Sequence, residues 1–257
     1  MFDQINIGRW WDKPWSPVSG CTRCSPGCEH CWALAMENRF KRYQDEMGIQ
    51  RVQTHPERLD IPLRRKKPTA FAVWNDLFHD DVPYAFAFRV FEIICSCRGR
   101  HNFLILTKRQ KRMAEFIRLA QEYFSGWFSP SGKLDLWGTW LGVTVCNRGE
   151  LPKIDDLKAV PAAKLFVSIE PLLEDLPTLG EYLDGIDWLI CGGETGPGAR
   201  PMHPDWVRSV RDQCQAAGVP FFFKGMMLDK KIKTLYLDGR THLEVPHAIQ
   251  GQGNSKD

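Results

Sequence analysis

Short apolar runs that alternate with helical patterns constrain the fold of this chain more than any other feature. Six runs are rich in β-branched or aromatic residues and almost continuously apolar: 70–74, 103–106, 140–145, 165–169, 188–191 and 220–223. Such runs are typical of parallel strands that are buried on both faces. Helical patterns occupy 31–45, 84–95, 109–124, 150–159 and 205–217. The alternation predicts βα units around a parallel sheet, with one weaker strand before the first cysteine.

Length and composition favour one α/β domain over residues 1–257. The chain is 43% hydrophobic and 25% charged, and α/β barrels of about 250 residues commonly form a single unit. Three tryptophans, Trp10, Trp11 and Trp15, predict a lid over about 1–15 that covers the open end of a partial barrel. The alternative is that their faces stack on bases. The polar tail, about 250–257, is expected to be disordered.

Charge and cysteine usage exclude several classes of protein. A net charge of +3 is too small to indicate a nucleic-acid partner by itself. Nine cysteines are too few for a disulfide scaffold of this length, and four of them lie within 21–31. With no secretory signal and no run of 18 apolar residues, we expect a cytoplasmic protein without a membrane partner. The clustered cysteines then indicate a metal site in a reducing compartment.

Cys24, Cys28 and Cys31 have the spacing C-x3-C-x2-C. Three thiolates on one tight loop can hold three irons of a [4Fe–4S] cluster. The fourth iron is then open to S-adenosylmethionine (SAM), whose C–S bond is cleaved by an electron from the cluster to give a 5′-deoxyadenosyl radical. The alternative is a zinc knuckle that uses Cys21 as well. Zinc sites of four cysteines usually separate their two pairs by a dozen or more residues, whereas three residues separate Cys24 from Cys28.

The segment 15–33 resembles the motif W-x-P-x-x-G-C…S-P-G-C-x-x-C-[YW]-A of the phage and bacterial radical-SAM-like proteins. Further stretches carry the resemblance over nearly the whole chain: NDLFH (75–79), LILTKR (104–109), WLGVTVCN (140–147), VSIEPLL (167–173), WLICGGETGPGARPM (188–202) and PFFFK (220–224). That family usually has Val or Ile where Cys24 stands, so the resemblance implies Cys21 with Cys28 and Cys31. The third ligand, Cys21 or Cys24, therefore stays open.

The resemblance implies a fold, two cofactors and a reaction class. The fold is a partial parallel (β/α)6–7 barrel of the radical-SAM type, and the cofactors are a [4Fe–4S] cluster and SAM. Phage-borne relatives imply modification of a DNA base or nucleoside, with an electron donor such as flavodoxin or ferredoxin. The favoured reaction is that of the isomerase that converts N-linked glycyl-thymine into the C-linked form. The alternatives are a base-lesion enzyme, a radical enzyme acting on a protein or nucleotide, and a zinc-binding DNA module.

Polar residues follow nearly every predicted strand, where parallel barrels form their active sites. The ammonium of SAM needs acceptors, which Asn75 and Asp76 offer. Its carboxylate needs a cation, for which Lys108 or Arg109 is suited. The remaining candidates for SAM are Asn147, Ser168, Glu170, Gly192 and Gly193. For each of them the alternative is an ordinary salt bridge or hydrogen bond at the rim.

The substrate candidates lie mainly in the second half of the chain. They are Arg109, Glu194, Arg200, His203 and Lys224. The glycine-rich stretch 192–198 is expected to let adenine or substrate approach the backbone, or else to form a simple tight turn. The basic run 64–67 is interpreted as a solvated loop, with phosphate contact as the alternative if a DNA base is flipped into the site.

Overall fold

The computed structural model describes residues 8–39, 52–134, 136, 138–195, 198–227 and 233–250. Residues 1–7 of the expected lid, 40–45 of the first predicted helix, 196–197 of the glycine-rich stretch and 251–257 of the tail lie outside this part of the chain. The strands are β1 (Lys13–Trp15), β2 (Val18–Ser19), β3 (Gln53–Thr54), β4 (Ala70–Val73), β5 (Asn102–Thr107), β6 (Thr139–Thr144), β7 (Leu165–Ile169), β8 (Trp188–Gly192), β9 (Phe221–Met227), β10 (Lys233–Thr234), β11 (Tyr236–Leu237) and β12 (Arg240–Thr241). The helices are α1 (Trp32–Arg39), α2 (Ile61–Arg64), α3 (Tyr84–Ser96), α4 (Gln110–Tyr123), α5 (Pro152–Lys158), α6 (Pro204–Ala217) and α7 (His247–Gln250).

One eight-stranded sheet organises the chain, in the order β1-β4-β5-β6-β7-β8-β9-β10. All neighbours are parallel except β9 and β10, which are antiparallel. Helices α3, α4, α5 and α6 each connect two neighbouring parallel strands. The predicted α/β class is thus confirmed, and so are all six predicted strands, because side chains buried on both faces require continuously apolar runs. Parallel strands bring all their carboxyl ends to one edge of the sheet.

Helix α6 shows how local sequence sets an element's bounds. The imidazole of His203 accepts a hydrogen bond from the Asp205 N–H, and Pro204 occupies the first turn. The helix ends at Gly218, whose φ of 69° lies in the left-handed region that favours glycine. These signals explain why the prediction 205–217 differs from the helix by one residue.

The two faces of the sheet have different cores. One face packs against the helices, as Val167 and Ile169 of β7 do. The other, which we call the inner face, carries a second apolar cluster of Ala70, Leu104, Trp140, Phe166, Trp188, Ile190 and Phe222, closed by Trp10, Val245 and Ile249 from the chain ends. These side chains make the inner face a packed core for most of its length. Burying each large apolar side chain contributes about 1.5–3 kcal/mol to the stability of the fold.

Of the three tryptophans assigned to the expected lid, Trp10 and Trp15 pack in the core. Trp10 is 5% exposed, with its ring centroid 5.7 Å from that of Phe166. Trp15 lies in β1 and is fully buried. β1 is the weak first strand of the prediction, and it pairs with β4. Trp10 and Trp15 are therefore core residues, and Trp10 and Trp11 both reach the open end of the sheet.

Strand β9 is longer than predicted. It runs through Lys224 to Met227, and its register with β8 shifts between Cys191 and Gly192. Gly225 absorbs the irregularity with a φ of 113°, which side chains rarely adopt. Lys224 consequently lies within the strand and not after its end. None of the helices in the described part of the chain is long and apolar enough to cross a membrane.

Candidate functional site

A cavity of about 260 Å³ opens at the carboxyl edge of the parallel sheet. Its floor is the part of the inner face nearest the carboxyl ends of the strands, which we call the upper level. There the strands carry Ala72, Leu106, Thr144 and Ser168, whereas the large rings lie nearer the amino ends. One wall is the cysteine loop, residues 21–31, which precedes the first crossover helix, α1. All four cysteines of this loop, Cys21, Cys24, Cys28 and Cys31, line the cavity. Each of them is a free thiol.

The cysteine loop is folded around a short 3-10 turn, Pro26–Cys28. The Ser25 hydroxyl accepts a hydrogen bond of 3.2 Å from the Gly27 N–H. A Cβ at Gly27 would lie 2.3 Å from the sulfur of Cys146, a buried residue just after β6. A side chain at position 27 would force the Cys146 side chain to move, because the loop packs closely against it.

The thiols of Cys24 and Cys28 interact directly. The hydrogen bond from Cys24 lowers the pKa of Cys28 to about 5 and raises the pKa of Cys24. Burial and, to a smaller extent, the Asp76 carboxylate raise the pKa of the Cys21 thiol to about 11. Among the described residues, no group of three His, Cys, Asp or Glu side chains already stands in a geometry that could hold a metal ion. The loop therefore presents free thiols rather than a preformed coordination site.

Lys108 faces the thiols from the end of β5. Burial opposes its charge, but the sulfurs of Cys146, Cys28 and Cys31 outweigh burial and raise the pKa of Lys108. The hydroxyl of Ser168, on β7, also faces the cavity, and its buried oxygen has no hydrogen-bond partner in the described part of the chain. A cation and an unsatisfied hydroxyl thus border the cavity beside the thiols. Buried polar atoms without a partner are rare and call for a ligand or a water.

Asp76 and Arg109 form an ion pair that clamps the cysteine loop. Arg109 Nη1 lies 3.0 Å from Asp76 Oδ2, and both side chains are almost completely buried. The same guanidinium donates to the backbone oxygen and the hydroxyl of Thr22, at 3.2 and 2.9 Å. Its Nη1 also lies 3.9 Å from the Cys21 sulfur. Asp76 accepts further bonds from the Thr107 hydroxyl at 2.6 Å and from the Phe78 N–H at 3.0 Å.

Arg200 links the cysteine loop to the segment after β8. Its guanidinium pairs with the buried Glu194 carboxylate. It also reaches Glu29 at 2.9 Å and the carbonyl of Pro26 at 2.9 Å. The pKa of Glu194 is lowered because hydrogen bonds from Arg200 outweigh the opposing effect of burial. We call this group the Arg200 bridge.

A second ion pair, between Lys224 and Glu170, closes the far side of the cavity. Lys224 comes from β9 and Glu170 follows β7, so the pair spans the end of β8 between them. Both side chains retain some exposure, at 27% and 21%. They remain accessible to a polar group of a ligand.

The family model described as "Protein of unknown function (DUF5131)" matches residues 5–246. The chain belongs to the DUF5131 family. No curated protein and no solved structure matches it. The matched range includes the whole parallel sheet, the cysteine loop and the Arg200 bridge, so the cavity is part of the family's own domain.

Most of the site residues predicted from the sequence line this cavity. They are the four cysteines with Asn75, Asp76, Lys108, Arg109, Ser168, Glu170, Gly193, Glu194 and Lys224. Asn147, Gly192, Arg200 and His203 do not line it. His203 is exposed and caps α6, and Asn147 begins the short turn after β6.

Three predicted roles change with the geometry. Asp76 was expected to accept the ammonium of SAM, but its oxygens already bind Arg109 and Thr107. Arg109 and Arg200 were expected to contact substrate or cofactor, yet their donors hold the cysteine loop. Both arginines therefore position this loop. Their partners are distant in sequence, so no local pattern could have revealed these pairs.

The basic run 64–67 lies away from the cavity. It precedes β4 and therefore lies at the amino edge of the sheet, whereas the cavity opens at the carboxyl edge. Arg64 pairs with Asp60 at 2.6 Å, and both side chains are exposed. The four residues of β4 span about 13 Å at 3.3 Å per residue. This position agrees with the interpretation of residues 64–67 as a solvated loop, and contact with the phosphates of a DNA strand stays the alternative prediction.

The sequence prediction missed two aromatic residues. Trp32 begins α1 directly after Cys31, and Trp74 follows β4; both line the cavity. A tryptophan beside the cysteine motif and another at a strand end were the available signals.

Proposed function

We propose that the chain is a radical-SAM enzyme whose sheet serves as a partial (β/α)6–7 barrel. The supporting observation is that the cysteine loop and the strand ends line one cavity at the carboxyl edge of a parallel sheet. A cofactor bound to the thiols would there contact groups from several strands. Parallel α/β folds use this edge for catalysis.

The residues present fit a cluster and SAM. Thiolates are the ligands of Fe–S clusters, and all four cysteines of the loop are free. The unpartnered Ser168 hydroxyl and the Lys108 ammonium provide a hydrogen-bonding group and a cation beside them. Lys108 suits the carboxylate of SAM, and the partly exposed pair of Glu170 and Lys224 suits its other polar groups or the substrate.

Cys28 and Cys31 hold the cluster in this proposal, with Cys24 or Cys21 as third ligand. The C-x3-C-x2-C spacing favours Cys24. The resemblance to radical-SAM-like proteins favours Cys21, which Arg109 and Thr22 hold near the same cavity. When bound, the cluster and SAM supply a 5′-deoxyadenosyl radical for hydrogen abstraction, with electrons from a donor such as flavodoxin or ferredoxin. The chain's own residues shield that chemistry and fix the loop.

The substrate in this proposal is a nucleobase, in DNA or as a modified nucleoside. The favoured reaction is isomerisation of N-glycyl-thymine to C-glycyl-thymine in phage DNA. A glycyl substrate carries an ammonium and a carboxylate, and the Glu170–Lys224 pair offers one charge of each sign to receive them. The choice of substrate rests on the resemblance to the radical-SAM-like proteins, whose motif covers residues 15–33 and so all four cysteines of the loop.

The first prediction concerns the cysteines. Cys28→Ala and Cys31→Ala should lose the cluster and abolish 5′-deoxyadenosine formation, because both thiolates are required by either spacing. Iron and sulfide content, the electron paramagnetic resonance of the reduced protein and mass spectrometry of SAM products measure this after anaerobic reconstitution. Cys95→Ala is the matched control, since Cys95 is an exposed cysteine on α3, away from the cavity. Stoichiometric zinc without sulfide in the native protein, or a full cluster in Cys28→Ala, would contradict the proposal.

A further inference from the structure

Three tryptophans that contact one another line the cavity. Trp11, Trp32 and Trp74 all line it. The ring centroids of Trp32 and Trp74 are 4.9 Å apart, and those of Trp11 and Trp74 are 5.5 Å apart, both edge to face. Trp74 therefore supports a ring on either side. We call these residues the tryptophan wall.

Trp32, which lies at one end of the tryptophan wall, is exposed. Trp32 is 46% exposed, although a large aromatic ring in a folded protein is usually well buried. Met36, one turn later on the same face of α1, is 48% exposed. The apolar surface thus continues from the cavity mouth along the helix. Such a surface beside a cavity indicates a binding site.

The three rings do not play the same part. The guanidinium of Arg9 covers the ring of Trp11, at 4.6 Å from the centroid. Trp74 is half-buried between its two neighbours. Trp32 is thus the ring with open surface, and Trp74 fixes its orientation. A fixed, exposed indole binds flat rings because stacking needs only a π-face.

The charges around the wall fit a nucleotide. The Glu170–Lys224 pair across the cavity can bind the polar edge of a ring that stacks on the wall. Arg23 lies in the cysteine loop beside Cys24 and is exposed. Aromatic platforms combined with positively charged groups are how single-stranded nucleic acids are bound without base-specific contacts.

We infer that the tryptophan wall is the stacking site for the substrate's nucleobase, with Trp32 as the stacking ring and Trp74 as its positioning residue. This inference rests on the proposed function for the identity of the substrate. The same chemistry could be supplied by the adenine of SAM. We assign the wall to a base of a single-stranded or flipped DNA strand, because the apolar surface extends beyond the cavity along α1 to Met36.

The test is binding of a fluorescein-labelled thymidine oligonucleotide, single-stranded, to cluster-loaded protein without reductant, and in parallel to protein as purified. Trp32→Ala should weaken binding about 5- to 150-fold, the range that stacking of one base provides. Trp32→Phe should retain most of the affinity. Tyr123→Ala is the control, since Tyr123 is 69% exposed and ends α4, at the opposite edge from the cavity. It should bind as the native protein does.

Two further arms separate the outcomes. A strand of the same length in which every nucleotide is abasic should bind to native protein as weakly as the intact strand binds to Trp32→Ala. SAM binding should be unchanged in Trp32→Ala. Equal binding of abasic and intact strands, or loss of SAM binding alone, would overturn the inference. Formation of 5′-deoxyadenosine without DNA tests the proposed function separately. If that reaction persists while Trp32→Ala binds DNA normally, only the wall is misassigned.

Discussion

Asp76 and Arg109 form the ion pair on which the position of the cysteine loop depends. Their side chains are 8% and 9% exposed, and the paired atoms are 3.0 Å apart. Asp76→Asn removes the negative charge and leaves the buried guanidinium without it. Breaking a buried pair from one side costs about 3–5 kcal/mol. At about 2–4 °C per kcal/mol for a chain of this size, the melting temperature should fall by about 6–20 °C.

Calorimetry of the purified protein measures this shift. Asp80→Asn is the matched control, because Asp80 pairs with the same arginine at 3.4 Å but is 73% exposed. An exposed pair contributes about 0–1 kcal/mol, so the control should change little. The double variant Asp76→Asn/Arg109→Met should recover part of the loss, since no buried charge is then left unpaired. Equal shifts for Asp76→Asn and Asp80→Asn would refute the assignment of Asp76 as the anchor.

Two further predictions concern the loop and its bridge. Gly27→Ala should lower the free energy of unfolding by about 1–3 kcal/mol, as overpacking does, because the new methyl group would meet the Cys146 sulfur. Gly126→Ala is the control and should be nearly neutral by chemical denaturation, because no atom lies within 4 Å of its added Cβ. Similar losses of stability in both variants would contradict the close contact at Gly27. Glu194→Gln should flatten the acid side of the stability curve measured by thermal melting across pH. The pKa of Glu194 is lowered below its ordinary 4.5 by Arg200 against burial, so its stabilisation is present above that value and lost as the pH falls through the folded pKa. An unchanged acid limb would contradict the Arg200 bridge as a charged pair.

The sequence predicted the fold well because burial dictates it. The strand Leu165–Ile169 matches its prediction residue for residue, since its side chains are buried on both faces. The start and end of α6 follow from Pro204 and Gly218. Strand β9 was predicted too short because the irregularity at Gly225 follows from pairing with β8, which no local pattern encodes.

The residues that line the cavity could be predicted better than the contacts they make. The carboxyl edge of a parallel sheet gathers polar residues whatever they do there, so lining residues such as Ser168 and Lys224 could be named in advance. Which of them pair with one another depends on contacts across the chain. Arg109 and Thr22 are 87 positions apart, and Arg200 and Pro26 are 174 apart. Trp10 was assigned to a lid because sequence does not reveal on which side of a sheet an aromatic ring packs.

The inner face of the sheet divides into two levels. The lower level is filled by rings such as Trp140, Phe166 and Trp188, while the upper level carries small or polar side chains, including Ala72, Thr144 and Ser168. Substitutions at the upper level leave the lower rings in contact. The lining of the cavity can therefore be changed without disturbing the packed core beneath it, and variants designed to alter what the cavity binds should begin at those upper positions.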